Sequence, residues 1–149
     1  MADILIPTVA QGLMWALMAL GVYITFRVLD IADLSVEGSF PLGAAVAATA
    51  LVSGYGVTAA FLLAAVAGAL AGIVTGILTT KLKIPPLLAG ILTMIGLYSV
   101  NLHVMGKANV ALLRVDTVFS YAAGMGLTSD MAMMAVGLVG VMLVGVILY

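Results

Sequence analysis

From Gly38 to Thr80 the chain runs 43 residues without a charged side chain. Ile4–Phe26 is a second such run, of 23 residues, and Met131–Tyr149 a third, of 19. A hydrocarbon layer of ~30 Å is crossed by about 20 helical residues. Each long run therefore has the length of a membrane span, and the longest holds more than one. Charged residues make up 7% of the chain and hydrophobic ones 65%, against roughly a quarter charged in soluble domains. Backbone groups in lipid must be satisfied within the segment itself, which favours helices. The expectation is an all-α integral membrane protein, one transmembrane domain over residues 1–149, with about five helices.

Ile4–Phe26 reads as the first span. Pro7 lies in its first turn, where the missing N–H costs little. Gly12, Ala16 and Ala19 form a small-residue face suited to close helix contact, and Trp15, deep in the span, reads as packing. Met1-Ala2-Asp3 carries no basic flank, so this run is expected to be a retained span and not a cleaved signal. Within Gly38–Thr80 the turn is Ser53-Gly54-Tyr55-Gly56. The piece before it, Phe40–Ser53, has 14 residues, roughly 21 Å of helix. With Gly38 and Pro41 at its start, the second helix is expected to be short or broken, with Ser35 or Ser39 as its cap. Val57–Thr80 is a full span in which Ala60, Ala64, Gly68, Gly72 and Gly76 recur every four residues. That pattern lets helix backbones approach closely, so Gly68, Gly72 and Gly76 are expected to pack, first inside the protein and otherwise at a subunit interface.

The fourth span, Leu87–Gly106, is the most polar, with Thr93, Tyr98, Ser99, Asn101 and His103. Tyr98 and Asn101 share a face with Met94 and Met105. Thr93, Tyr98 and Asn101 are candidates for the wall of a pathway, and bonding to neighbouring helices is the alternative. His103 has no partners for a metal site. Lys107–Asp130 is the longest polar connection, and Asn109–Ser120 within it reads as a short surface helix or hairpin. Met131–Tyr149 is the fifth span, and the end at Tyr149 reads as a truncation at or inside it.

Three of the six carboxylates, Asp30, Asp33 and Glu37, lie within eight residues between the first two spans. Intramembrane carboxylates are costly and face water, protein or a pathway. Short basic loops stay cytoplasmic. The densest is Lys81–Pro86, which puts Arg27–Ser39 on the same side. Asp30, Asp33, Ser35, Glu37 and Gly38 are thus candidates for a cytoplasmic mouth with a gating role. The sequence Asp33-Leu34-Ser35-Val36-Glu37-Gly38, followed by Leu42-Gly43-Ala44, resembles permease subunits of branched-chain-amino-acid and sugar ABC importers. Thr79-Lys81-Leu82-Lys83-Ile84 and Leu87-Leu88-Ala89-Gly90-Ile91-Leu92-Thr93 extend the likeness. It is nearest to permeases that sit beside tryptophan/tyrosine-type substrate-binding proteins, and the chain looks like an N-terminal half.

That resemblance implies a multi-pass protein of the bacterial inner membrane that forms the passage for a small solute such as an amino acid. It also implies ABC ATPase subunits, an extracytoplasmic substrate-binding protein and a second permease copy as partners. The residues themselves exclude several classes. There is no GxxxxGK[ST] run, since Gly106-Lys107 is followed by Ala108; ATP hydrolysis is expected on another chain. No nucleophile–base constellation points to an enzyme, and neither a cofactor nor a metal is expected. A chain without cysteine has no disulfide framework, and a net charge of −1 gives no nucleic-acid surface. The alternatives are a structural scaffold and a subunit of an ion- or proton-coupled secondary transporter. In the latter, Asp30, Asp33 and Glu37 would share one helical face as a relay.

Overall fold

The computed structural model describes residues 2–31, 33–107, 109–112, 117, 120, 124, 126 and 128–148. Among them all regular structure is helical. The helices are α1 (Ala2–Leu29), α2 (Val36–Val52), α3 (Val57–Thr80), α4 (Pro86–Met105) and α5 (Ser129–Leu148). Three are long and apolar enough to cross a bilayer: Ile4–Val28 of α1, with α3 and α4. Most of the 107–130 connection, including the expected helix or hairpin over 109–120, lies outside the described residues.

The chain divides into two compact units. The first comprises residues 1–24 and 116–149, the second residues 25–115. In the first unit the α1–α5 contact is built from glycines on α5. A Cβ at Gly137 would stand 2.7 Å from the Cβ of Leu13, and one at Gly140 would stand 2.8 Å from Cδ2 of Leu17. Leucines of α1 thus seat where α5 has no side chains. The face of α1 expected to pack behaves differently: Gly12 has nothing within 4 Å of where a Cβ would be, and Trp15 is 57% exposed.

In the second unit α2, α3 and α4 pack on one another. Turns join them. Gly54 adopts a left-handed φ of +87° after α2, and its N–H donates to Leu51 O at 3.1 Å. Pro85 and Pro86 then start α4 with fixed φ, and Gly106 closes it in the left-handed conformation, where glycine pays no Cβ penalty.

The second helix is short, as expected, but it is not broken. Its 17 residues give about 26 Å of length. It begins at Val36 and carries Gly38 and Pro41 inside it, so of the two expected forms, short or broken, it takes the first. Membrane helices tolerate such residues where neighbouring elements support the backbone, and α4 supplies that support at Gly38. Neither serine caps the helix by its side chain. Ser35 holds the N-cap position without a side-chain cap bond; the bond there runs from its N–H to Asp33 Oδ1, at 2.8 Å. The Ser39 hydroxyl instead reaches back to Val36 O, at 3.4 Å.

Candidate functional site: the groove between α2 and α4

The α2–α4 contact is read most simply from the residues of α4 that make it. Gly90, Met94, Leu97 and Asn101 are spaced four, three and four apart, which keeps them on one face of a helix. At the lower end, Gly90 lies under the turn that precedes α2. A Cβ there would stand 3.0 Å from Asp33 Oδ1 and 3.1 Å from the Leu34 nitrogen. One step up, Gly38 of α2 lies on α4, and a Cβ would stand 2.9 Å from the Met94 Cα and 3.2 Å from the Leu97 Cβ. Above that, Asn101 Nδ2 donates to Gly38 O at 3.5 Å. Near the far end, the Thr49 hydroxyl lies 2.8 Å from Ala45 O and 3.3 Å from Val104 O of α4. The contacts advance in the same direction along both helices, so α2 and α4 run parallel.

Beside this seam opens a cavity of about 640 Å³, within the size range of small-molecule sites. Glu37, Gly38 and Pro41 line it from α2, with Met94, Tyr98, Asn101 and Met105 among those from α4. The shared face of Met94, Tyr98, Asn101 and Met105 read from spacing is therefore the face that meets this cavity. Asn101 is buried, with 7% exposure, while Tyr98 is 68% exposed. The Asn101 Oδ1 atom is buried and has no hydrogen-bond partner.

Thr93, grouped with these two by its polarity, sits elsewhere. It is buried between α3 and α4, where its hydroxyl meets Thr75 Oγ1 at 3.0 Å. Thr75 also donates to Ala71 O at 3.2 Å. Thr93 is part of a helix–helix hydrogen bond and not of the cavity wall. Thr75 was not singled out from sequence, although a threonine within the long uncharged run of α3 is the available signal.

The three carboxylates do not form one helical face. Asp30 ends α1 with φ +59°, a conformation Asp tolerates better than most residues. Asp33 lies in the turn, and Glu37 is in the first turn of α2. They also face different spaces. Glu37 lines the larger cavity. Asp33 lines a second one of about 300 Å³ with Ile31, Gly72, Thr75, Gly76 and Thr79. The continuous relay face of a proton-coupled transporter is absent from this arrangement. Among the described residues no cluster of metal-ligating side chains occurs.

The three glycines of the small-residue stripe of α3 have no close neighbour. Gly68, Gly72 and Gly76 each have nothing within 4 Å of a would-be Cβ, and the buried positions of α3 are Ala60, Ala71 and Thr75. Ala60, at the start of the stripe, is thus packed, while its three glycines lie off the face that buries Ala71 and Thr75, which spacing alone did not distinguish.

Residues 4–149 match the family model described as branched-chain amino acid transport system, permease component. The chain belongs to this family. The permease is also 46% identical over 116 residues to a tyrosine transport system permease protein of Clostridioides difficile (strain R20291), covering 78% of this chain and 39% of that one. It is 37% identical over 118 residues to an uncharacterized protein of Rickettsia prowazekii (strain Madrid E), covering 79% of this chain and 41% of the other. The chain thus spans about two fifths of the length of these curated relatives. No solved structure matches it.

Proposed function

We propose that this permease is the membrane-spanning component of an ATP-driven importer of a small amino acid-like solute, in which the α2–α4 groove forms part of the pathway. The observation that carries this reading is the family match across residues 4–149, joined to a cavity lined by a glutamate, a tyrosine, a serine and a buried asparagine among apolar side chains. The likeness to a tyrosine transport permease makes an aromatic amino acid the first solute to try. ATPase subunits would supply energy, a substrate-binding protein would deliver the solute, and a second permease copy would complete the pathway in a bacterial inner membrane. Asp30, Asp33, Ser35, Glu37 and Gly38 would act at the cytoplasmic mouth. The seating of the Asp33–Ser35 turn on Gly90 supports this role, since a shift of α4 must move that turn.

The test is reconstitution of the full-length permease with ATPase and binding-protein partners from the same genome. Labelled tyrosine, leucine and valine are offered to proteoliposomes. Accumulation that requires ATP is the expected result. Uptake that follows an imposed proton gradient without ATP would replace this reading with the secondary-transporter one.

A further inference from the structure

The buried Asn101 carboxamide has a fixed orientation. The Gly38 carbonyl can only accept, so the atom facing it is Nδ2. That leaves Oδ1 as a buried acceptor without a partner, on a residue that lines the cavity. A buried polar atom left unpaired costs on the order of 1–3 kcal/mol, and native structures rarely keep one without use. Two further acceptors belong to the same cavity wall. Glu37 is its one charged residue. Pro41, four residues on, has no N–H to return to the Glu37 carbonyl, so that oxygen lacks its usual helical donor. No lining residue carries a positive charge. The rest of the wall carries one further hydroxyl besides that of Tyr98, at Ser99, and is otherwise apolar and aromatic, with Met94, Ile95 and the Tyr98 ring, surfaces that favour the carbon body of a ligand and, at the tyrosine ring, a cation.

We infer that the α2–α4 cavity is a subsite for a primary ammonium group on an apolar body, received by Asn101 Oδ1 and the Glu37 carboxylate. This rests on the pathway reading above and specifies which end of the solute this part of the permease recognises. An ammonium offers three donors and neutralises the one charge on the wall. An anionic group would meet Glu37 with no compensating cation. A neutral hydroxyl could satisfy Asn101 but would bring no opposite charge to the Glu37 carboxylate.

The test compares three probes that share one body: 2-phenylethylamine, 2-phenylethanol and 3-phenylpropanoate. Binding to the purified full-length permease in detergent is read as a concentration-dependent rise in Tm. The amine is expected to raise Tm while the alcohol and the carboxylate do not. Glu37→Gln, a change at an exposed side chain, should weaken amine binding at least tenfold without lowering the ligand-free Tm. Asn101→Leu should weaken it by a similar factor. Equal responses to the three probes, or unchanged amine affinity in Glu37→Gln, would overturn the assignment. So would an Asn101→Leu variant with lowered ligand-free Tm and wild-type amine affinity, which would make Asn101 a helix contact only. Absence of any amine response would also overturn it, while ATP-dependent uptake by the reconstituted importer would still stand as the separate measure of the transport reading.

Discussion

Gly38 and Gly72 look alike in the chain, each a glycine in a long uncharged run, and the fold uses them in opposite ways. At Gly38 the missing side chain is occupied by another helix, with the Met94 Cα 2.9 Å from where a Cβ would stand. At Gly72 the same absence faces open space. The first is a single glycine in no obvious pattern; the second belongs to a regular stripe of small residues. At Gly72 regular spacing coincides with open space, and at Gly38 an isolated glycine coincides with a close approach of α2 to α4. The difference teaches that a small-residue repeat states which face permits contact, not which face has it.

Four experiments on the full-length permease break or sharpen this contrast. Gly38→Leu should have the largest effect. It forces a side chain into the backbone of α4, and overpacking costs ~1–3 kcal/mol, occasionally more; this site belongs at or above that upper end. The check is thermal unfolding in detergent, where a wild-type Tm would show that α2 and α4 are not in contact there. Gly90→Ala comes next, at about 1 kcal/mol, because the new methyl meets Asp33 Oδ1 and Leu34 N at 3.0 and 3.1 Å. Combined with Asp33→Ala, which also removes the acceptor for the Ser35 N–H, the two effects should be less than additive.

Third, a double-mutant cycle of Thr75→Val and Thr93→Val should give a coupling of ~0.6 kcal/mol, the average for hydrogen bonds between membrane helices. A coupling near zero would mean that the hydroxyls, 3.0 Å apart, contribute independently. Smallest is Gly72→Leu, expected within about 0.5 kcal/mol of wild type, as for substitutions that meet no packed neighbour. A Tm loss matching that of Gly38→Leu would close the contrast and show that the stripe has a partner. Measuring oligomeric state alongside would reveal whether that partner is a second permease copy.

The spans were legible because lipid solvation writes itself into long uncharged runs; α1, α3 and α4 follow them closely. The start of α2 was legible as one of two positions, since Ser35 and Ser39 were both expected caps and Ser35 holds the N-cap; the unbroken passage through Gly38 and Pro41 was not. Gly38 and Pro41 read as breakers because their local preferences oppose a helix, but α4 fills the space that Gly38 leaves, and tertiary support of this kind has no local signature. The cavity wall was half legible. Met94, Tyr98, Asn101 and Met105 follow from helical spacing, whereas Glu37 joins them only through the pairing of α2 with α4. Thr93 was grouped with them by polarity, yet it stands one position before Met94 and so turns toward α3. The separate placement of Asp33 and Glu37 depends on α2 beginning at Val36, between them, and on which neighbours each then meets, which spacing does not state.

The length of α2 has a consequence for the surrounding lipid. A helix of 17 residues reaches about 26 Å, against a hydrocarbon layer of ~30 Å. The shortfall falls beside the Asp33–Ser35 turn or the Gly54–Gly56 turn, and the bilayer must thin there or let water in. Such mismatch costs fractions of a kcal/mol per Å, enough to bias two conformations of similar energy. Acyl-chain length then becomes an input to the permease: long-chain lipids would penalise any state in which this short helix stands upright and bare, and short-chain lipids would release it.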